Sequence, residues 1–142
     1  MEKGPPVAGE VIPYWFLWCS EHERGEESGR KLRPCVVIAV VRSKTGPTRV
    51  AVLPVTHTPP EPERSAVELP RVVKARLGLD PARSWVMCDE YNEFVWPALD
   101  AGKTSAGKPS FGFLPRGVLS AVRDEALAAR SRGAFKTVSR TQ

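Results

Sequence analysis

The sequence lacks several features that mark common protein classes. No apolar run is long enough to cross a membrane. The three cysteines, Cys19, Cys35 and Cys88, are odd in number and form no C-x-x-C pair, which argues against a disulfide framework and a structural zinc site. The first ten residues, MEKGPPVAGE, are polar and Pro-rich and do not resemble a signal peptide. We therefore expect a protein of the reducing cytoplasm that does not enter a membrane.

Motifs for cofactor chemistry are also missing. The chain contains no phosphate-binding P-loop, no dinucleotide fingerprint and no run of residues at metal-ligand spacing. It has only two histidines, His22 and His57. These absences predict that the protein uses no cofactor and no metal.

Length and composition indicate one globular domain. The chain has 142 residues, of which 42% are hydrophobic and 26% charged, as in an ordinary soluble domain with a substantial core. We predict a flexible N-terminus at residues 1–8, a single domain at 9–133 and a basic tail at 134–142. No internal repeat divides the chain.

Positive charge is concentrated in the last third of the chain. The net charge is +5; residues 1–100 hold 13 Lys and Arg against 14 Asp and Glu, and residues 101–142 hold 8 against 2. The ordinary explanation is a solvated basic helix and tail. The asymmetry also suits a polyanion or an acidic peptide as a partner.

Two apolar segments predict the centre of the fold. In Gly29–Val41, a basic run meets Pro34 and then seven apolar, mostly β-branched residues, which is typical of a buried strand. Arg49–Thr56 is a second apolar strand, and the turn between them contains Gly and Pro. This spacing favours an antiparallel hairpin that places Arg33 and Thr56 at the same edge of one sheet.

Further strands and a polar loop surround this hairpin. Glu10–Trp18 is an aromatic strand that Pro13 should confine to a sheet edge or a bulge. Glu21–Gly29 predicts a mobile polar loop over the start of the Arg33 strand. Trp85–Asp89 and Glu93–Trp96 predict two strands joined by a turn at residues 90–92.

Two helices complete the predicted elements. Pro70–Leu77 begins with proline and precedes a glycine, and Pro115–Arg132 has the same signals over a longer span. Apolar residues at helical spacing give the longer helix one buried face: Val118, Leu119, Val122, Ala126 and Leu127. The chain is therefore predicted to be mainly β with a C-terminal helix.

At these motifs the sequence resembles the MazF/PemK (Kid-like) toxins of bacterial toxin–antitoxin modules. GRKLRPCVV followed by VAVLPVTH is similar to the family's Gly-x-Arg-Pro strand start and its later Val-x-Pro-x-Thr strand end. Gly9–Ile12 resembles the first strand, and Leu114–Leu119 resembles the start of the C-terminal helix. The likeness spans roughly residues 9–130.

The resemblance implies a small, strongly bent antiparallel barrel of the Src-homology-3-like type. It also implies a sequence-specific, metal-independent endoribonuclease that cuts single-stranded mRNA by attack of a ribose 2′-OH on the adjacent phosphate. Arg33 and Thr56 carry over as the catalytic pair, and both can donate hydrogen bonds to phosphate oxygens. The implied partners are single-stranded RNA, an acidic antitoxin peptide and a second copy of the chain in a homodimer.

Other residues are candidates for proton transfer or RNA contact. His22, His57 and Glu27 can move protons near the Arg33 strand. Arg30, Lys31 and Trp18 can contact RNA through phosphate charge and base stacking. The compact members of the family lack the segment that covers residues 57–80, so the cleaved base sequence cannot be carried over.

Two alternatives stay open at the level of sequence. A non-catalytic toxin of the same fold, resembling the gyrase poison CcdB, does not need Arg33 and Thr56. A plain binding module could use the aromatic cluster near the N-terminus to bind a nucleic acid or a peptide without cutting it.

Overall fold

A computed structural model describes residues 4–26, 29, 31–97 and 101–140. Eight strands and three helices alternate along these residues. In chain order they are β1 (Glu10–Trp15), α1 (Cys19–Glu23), β2 (Leu32–Val41), β3 (Arg49–Thr56), β4 (Ala66–Glu68), α2 (Arg71–Arg76), β5 (Trp85–Met87), β6 (Glu90–Val95), β7 (Gly112–Phe113), α3 (Arg116–Ser131) and β8 (Lys136–Ser139).

The strands form one strongly curled sheet with the order β4-β5-β3-β2-β1-β7, and β6 adds to β3 and β8 to β6. The predicted hairpin of β2 and β3 lies at its centre, where Val36 pairs with Leu53 and Val41 with Arg49. Pairing is antiparallel except between β6 and β8, which are parallel. The mainly β class with a C-terminal helix is confirmed, and the sheet forms an antiparallel half-barrel.

Two prolines face each other where β1 pairs with β2. Pro13 is the register partner of Pro34, and neither residue has an N–H to donate. Opposed positions in an antiparallel ladder alternate between bonded and non-bonded pairs, so two prolines fit at a non-bonded pair. The carbonyl of Pro13 points away from β2 and accepts a hydrogen bond of 3.1 Å from Gly102 N, on the opposite side of β1.

The predicted turn at residues 90–92 is wrong. Val55 pairs with Val86 of β5, and Val52 pairs with Asn92 of β6, both antiparallel. The two strands therefore run in the same direction along β3 as one interrupted strand. Alternating burial along Glu90–Val95 shows a half-buried strand where the polar residues suggested a turn.

The residues assigned to a basic tail include a strand. Lys136–Ser139 form β8 beside β6, and Val138 is buried. Arg140 is also buried, and its Nη1 donates to the carbonyl of Trp15 and to Asn92 Oδ1, both at 2.9 Å. The folded unit therefore extends past residue 133.

Part of the predicted polar loop is helical. Cys19–Glu23 form α1, in which Glu21 is buried and His22 is exposed. Glu21 Oε1 accepts a hydrogen bond of 3.0 Å from Trp18 N at the start of the helix. This side-chain acceptor satisfies the N–H of Trp18, which precedes the first turn of α1. The charged and Gly-rich composition of the segment did not indicate such a helix start.

The sheet buries apolar side chains on both faces. One face carries the inner cluster: Ile12, Tyr14, Phe16, Cys35, Val37, Val50, Val52 and Phe94. The other face carries the helix-side cluster, which includes Val36, Leu53, Val55, Val86, Val122 and Ala126. Alternate residues of β2 and β3 enter opposite clusters because side chains along a strand alternate faces.

Both predicted helices are confirmed. Pro70 and Pro115 precede α2 and α3 as their N-terminal caps. Gly78, with φ +72°, follows α2, and Leu79 N donates back to the carbonyl of Lys74 at 2.9 Å, which is the expected glycine termination. The predicted buried face of α3 is wrong at Leu127, whose exposed fraction is 59%.

Candidate functional site

Arg33 and Thr56 lie at the ends of neighbouring strands. Cys35 is the register partner of Pro54 in the antiparallel pair of β2 and β3. This is the last pair at that end of the two strands, and Arg33 and Thr56 lie two residues beyond it, on the same faces as Cys35 and Pro54 respectively. Opposed residues point to the same face, here the face of the inner cluster, at its rim.

Both residues line one pocket of about 310 Å³. The side chains of its lining come from the segment before α1, from the two central strands and from the Pro-rich loop after β3. They include Trp18, Arg33, Thr56, Pro59, Pro60 and Arg64. We call this the Arg33 pocket.

The guanidinium of Arg33 is held from two sides. Its Nη1 donates a hydrogen bond of 3.3 Å to the carbonyl of Val55, and its Cζ lies 5.1 Å from the centre of the Trp18 ring. Its Nε is buried and has no hydrogen-bond partner among the described residues. Burial lowers the pKa of Arg33, and the nearby carboxylate of Glu21 opposes that effect. An arginine stays charged at neutral pH despite such a shift, so the group is a poorly solvated, positioned cation.

Trp18 is positioned by the segment that leads into α1. Asn92 Oδ1 accepts from Leu17 N, and Asn92 Nδ2 donates to the carbonyl of Leu17, both at 2.8 Å. The side-chain amide of Asn92 thus pairs with both backbone groups of Leu17, as the backbone of a neighbouring strand would. The Trp18 ring contacts Phe16 edge-on at a centroid distance of 5.3 Å, which leaves it as a wall of the Arg33 pocket.

Thr56 is the last residue of β3. Its Oγ1 accepts a hydrogen bond of 3.1 Å from Thr58 N, so the hydroxyl hydrogen can still be donated to a ligand. The strand pair Thr56 and Trp85 holds the backbone on the β5 side. The Thr56 hydroxyl is therefore fixed next to Pro59 and Pro60, which line the same pocket.

Sequence reasoning missed Arg64, which lines the Arg33 pocket on the side of the Pro-rich loop. Its Nε and Nη2 bind the Asp89 carboxylate at 2.6 and 2.8 Å, and Nη2 lies 3.3 Å from Glu90 Oε2. The hydrogen bonds to Asp89 raise the pKa of Arg64, and burial raises the pKa of Glu90. The adjacent pair Asp89-Glu90 was the only sequence signal, since two buried carboxylates need a cation.

His57 lies in a neighbouring pocket of about 150 Å³, together with Arg33 and Lys31. Its Nε2 is 2.9 Å from Asp80 Oδ2. Partial burial favours a higher pKa for Asp80, but the hydrogen bond from Lys74 Nζ and the nearby His57 hold that pKa below its usual value. His57 faces this second pocket and does not line the Arg33 pocket, as strand alternation predicts.

Lys74 anchors the second pocket although it is almost fully buried. Its Nζ donates to Asp80 Oδ1 at 3.1 Å, to Ser84 Oγ at 2.6 Å and to the carbonyl of Ala82. These contacts fix the segment that follows α2, and with it the carboxylate that binds His57.

The remaining predicted site residues divide into three groups. Lys31 is exposed and lines the pocket of His57. His22 is exposed on α1 and lines neither of the two pockets that contain Arg33. Glu27 and Arg30 lie outside the described residues.

Two features are absent from the described residues, 4–26, 29, 31–97 and 101–140. No three His, Cys, Asp or Glu side chains there converge as metal ligands. No helix in that part of the chain is long and apolar enough to span a membrane.

No family model matches this chain, and no curated protein matches it.

Proposed function

We propose that this chain is a metal-independent endoribonuclease toxin of the MazF/PemK type. It cleaves single-stranded mRNA and uses no cofactor. The observation that carries the proposal is that Arg33 and Thr56 line one pocket, where Arg33 also donates to the carbonyl of Val55, the residue before Thr56. The pair matches the residues that the motif resemblance implies.

The proposed chemistry is attack by a ribose 2′-OH on the adjacent phosphorus. The 2′-oxygen loses its proton and forms a bond to phosphorus, the bond to the 5′-oxygen breaks as that oxygen gains a proton, and the products are a 2′,3′-cyclic phosphate and a 5′-hydroxyl. Charge accumulates on the non-bridging phosphate oxygens in the transition state. Arg33 and Thr56 donate hydrogen bonds to those oxygens, and the partial burial of Arg33 strengthens its interaction with them.

Proton transfer is assigned to His57 among the three predicted candidates. It shares a pocket with Arg33 and is held by Asp80, whereas His22 lines neither pocket. In this proposal His57 transfers the proton on the side of the phosphate that faces the second pocket. Trp18 stacks on a base in the Arg33 pocket. Lys31 adds a phosphate contact.

Three further parts of the proposal follow the resemblance. The sheet is a Src-homology-3-like barrel, the active form is a cytoplasmic homodimer, and an acidic antitoxin peptide inhibits it by occupying the RNA groove. The basic segment at residues 30–33 and the excess positive charge of residues 101–142 support an anionic ligand of this kind.

The deciding experiment is a cleavage assay with purified protein and a labelled single-stranded RNA. Wild type should cut the RNA, and Arg33→Ala should bind it but cut at least about a hundredfold more slowly. Binding without cleavage by wild type would identify a nucleic-acid binding module. If wild type neither binds nor cleaves the RNA, RNA is excluded as the substrate.

A further inference from the structure

An apolar groove of about 420 Å³ lies between α3 and the far ends of β2 and β3. Its apolar lining comes from both strands, from β6 and from both sides of the turn that follows α3. The main contributors are Ile38, Val41, Val50, Tyr91, Leu127 and Phe135. We call this the α3 groove.

Two large apolar side chains stand exposed at the rim of the α3 groove. Val41 has an exposed fraction of 62%, and Leu127 one of 59%. One exposed leucine or valine is ordinary on a protein surface. Two of them beside an apolar groove form a continuous patch, which indicates an interaction surface.

The charged residues around the α3 groove are mostly basic. Arg123 and Arg130 are exposed on α3, and Arg49 is exposed at the start of β3. Among the residues that the structure describes, the only carboxylate in the lining is Glu93, whose Oε1 lies 3.5 Å from Arg49 Nη1. The positive charges on α3 are therefore left to attract an anionic partner.

The groove also ends at an open strand edge. The pairing of β1 with β2 stops at Val36, and one further bond joins Gly9 N to the carbonyl of Val37 at 2.8 Å. Beyond that point, within the described part of the chain, residues 38–41 have a strand neighbour only in β3. Apolar strand edges are usually protected, and this one offers main-chain groups to an extended partner.

We propose that the α3 groove binds an acidic amphipathic segment of a partner protein. Apolar side chains of that segment fill the groove, and its carboxylates meet Arg123 and Arg130. The inference goes beyond the proposed function because the groove is at the opposite ends of β2 and β3 from Arg33 and Thr56. At about 3.3 Å per residue, Ile38 lies roughly 17 Å along β2 from Arg33.

Charge decides against a second copy of the chain as the occupant. A two-fold interface brings the same patch of both copies together. It would place the arginines of one α3 groove close to those of the other, where like charges repel. An acidic segment removes that repulsion and fills the same apolar space.

The test is a selection from a phage-displayed library of random 16-residue peptides on the purified full chain. A parallel selection uses Arg123→Glu. Enriched peptides are then synthesised with a fluorophore, and their affinity is measured by anisotropy on wild type, Arg123→Glu, Leu127→Ser and Arg116→Glu. Arg116→Glu is the matched control, because Arg116 is exposed on the same helix, outside the groove, and the charge change is identical.

The expected result is enrichment of peptides that combine Asp or Glu with large apolar residues. Arg123→Glu and Leu127→Ser should each weaken their binding at least about tenfold, and Arg116→Glu should weaken it less than twofold. The proposal is overturned if no peptide is enriched, if enriched peptides lack acidic residues, or if both charge reversals act equally. It is also overturned if sedimentation shows a wild-type dimer that Leu127→Ser dissociates, because the groove is then a self-interface. Circular dichroism melting of each variant distinguishes lost binding from lost folding.

Discussion

Arg33 Nη1 donates a hydrogen bond of 3.3 Å to the carbonyl oxygen of Val55. A side chain at the start of β2 is thereby tied to the backbone of β3, one residue before Thr56. The contact fixes the distance between the two proposed phosphate donors without using Arg33 Nε or Nη2. Preorganised donors of this kind stabilise a transition state without having to reorient during the reaction.

Conservative changes at the two donors should separate charge from geometry. Arg33→Lys keeps the positive charge but loses the planar fork, and Thr56→Val keeps the shape but loses the hydroxyl. We expect each to reduce the single-turnover cleavage rate by about 10²–10³. Thr137→Val, at an exposed position on β8, is the matched control and should cut like wild type. Equal activity of Thr56→Val and the control would remove Thr56 from the catalytic pair.

Cleavage should survive a chelator. The proposed mechanism stabilises phosphate charge with side-chain donors and needs no bound cation. The measurement is the initial cleavage rate after dialysis against EDTA, compared with the same protein given Mg²⁺. Rates within twofold are expected. A loss in EDTA that Mg²⁺ restores would require a metal-dependent mechanism.

The proposed antitoxin should compete with RNA, and the binding of both ligands should weaken as salt rises. Both ligands would meet the charge of Arg33 and Lys31, and exposed charges are screened over roughly 10 Å at 0.1 M salt. The measurement is RNA cleavage with increasing amounts of the acidic peptide encoded beside this gene, at several salt concentrations. Undiminished cleavage with the peptide demonstrably bound would place it away from the Arg33 pocket, for example in the α3 groove.

Arg64→Met should destabilise the protein in a pH-dependent manner. The change leaves the buried Asp89 and Glu90 carboxylates without their cation, and we expect a loss of about 1–2 kcal/mol at neutral pH because Arg64 is partly exposed. Burial already raises the pKa of Glu90 above its ordinary value of 4.5. The contribution of Glu90 to the free energy of unfolding is therefore fully favourable below pH 4.5, and it is lost as pH rises through the pKa of Glu90 in the folded state.

The deficit of Arg64→Met should accordingly narrow as pH falls and Glu90 becomes neutral. Urea unfolding of wild type and variant at several pH values measures it. Arg83→Met is the matched control, since Arg83 makes a similar two-bond contact to Glu68 between exposed side chains, and we expect little change there. A deficit that is constant with pH would mean that the loss arises from packing.

Asn92→Ala should be far more damaging than the neighbouring Glu93→Ala. Asn92 is fully buried and bonds both backbone groups of Leu17 and the Arg140 guanidinium. Its removal leaves both backbone groups of Leu17 without their partner and takes one acceptor from Arg140, which costs about 2–4 kcal/mol. Glu93 only approaches the exposed Arg49 at 3.5 Å, so its loss should cost less than about 1 kcal/mol. Similar urea midpoints for the two variants would contradict the role assigned to Asn92.

The central hairpin and the two proline-started helices could be predicted because their signals are local. β-Branched runs, proline at a helix start and glycine at its end act on neighbouring backbone. The juxtaposition of Arg33 and Thr56 also followed from a short turn between two strands. The direction of β6 relative to β5 could not be predicted, since Glu90 and Asn92, the polar residues that suggested a turn, are the buried half of an alternating strand and accept hydrogen bonds from residues remote in sequence.

The sequence by itself determined the strand pair that carries Arg33 and Thr56, through apolar runs that can only be buried side by side. Only the tertiary structure decided what surrounds that pair. Arg64, 31 residues from Arg33, reaches the pocket because the buried Asp89 and Glu90 need a cation, and Arg140 becomes buried because Asn92 and the carbonyl of Trp15 accept its hydrogen bonds. Such contacts depend on distances between elements remote in sequence, and the cost of leaving buried charges and polar groups unpaired selects them.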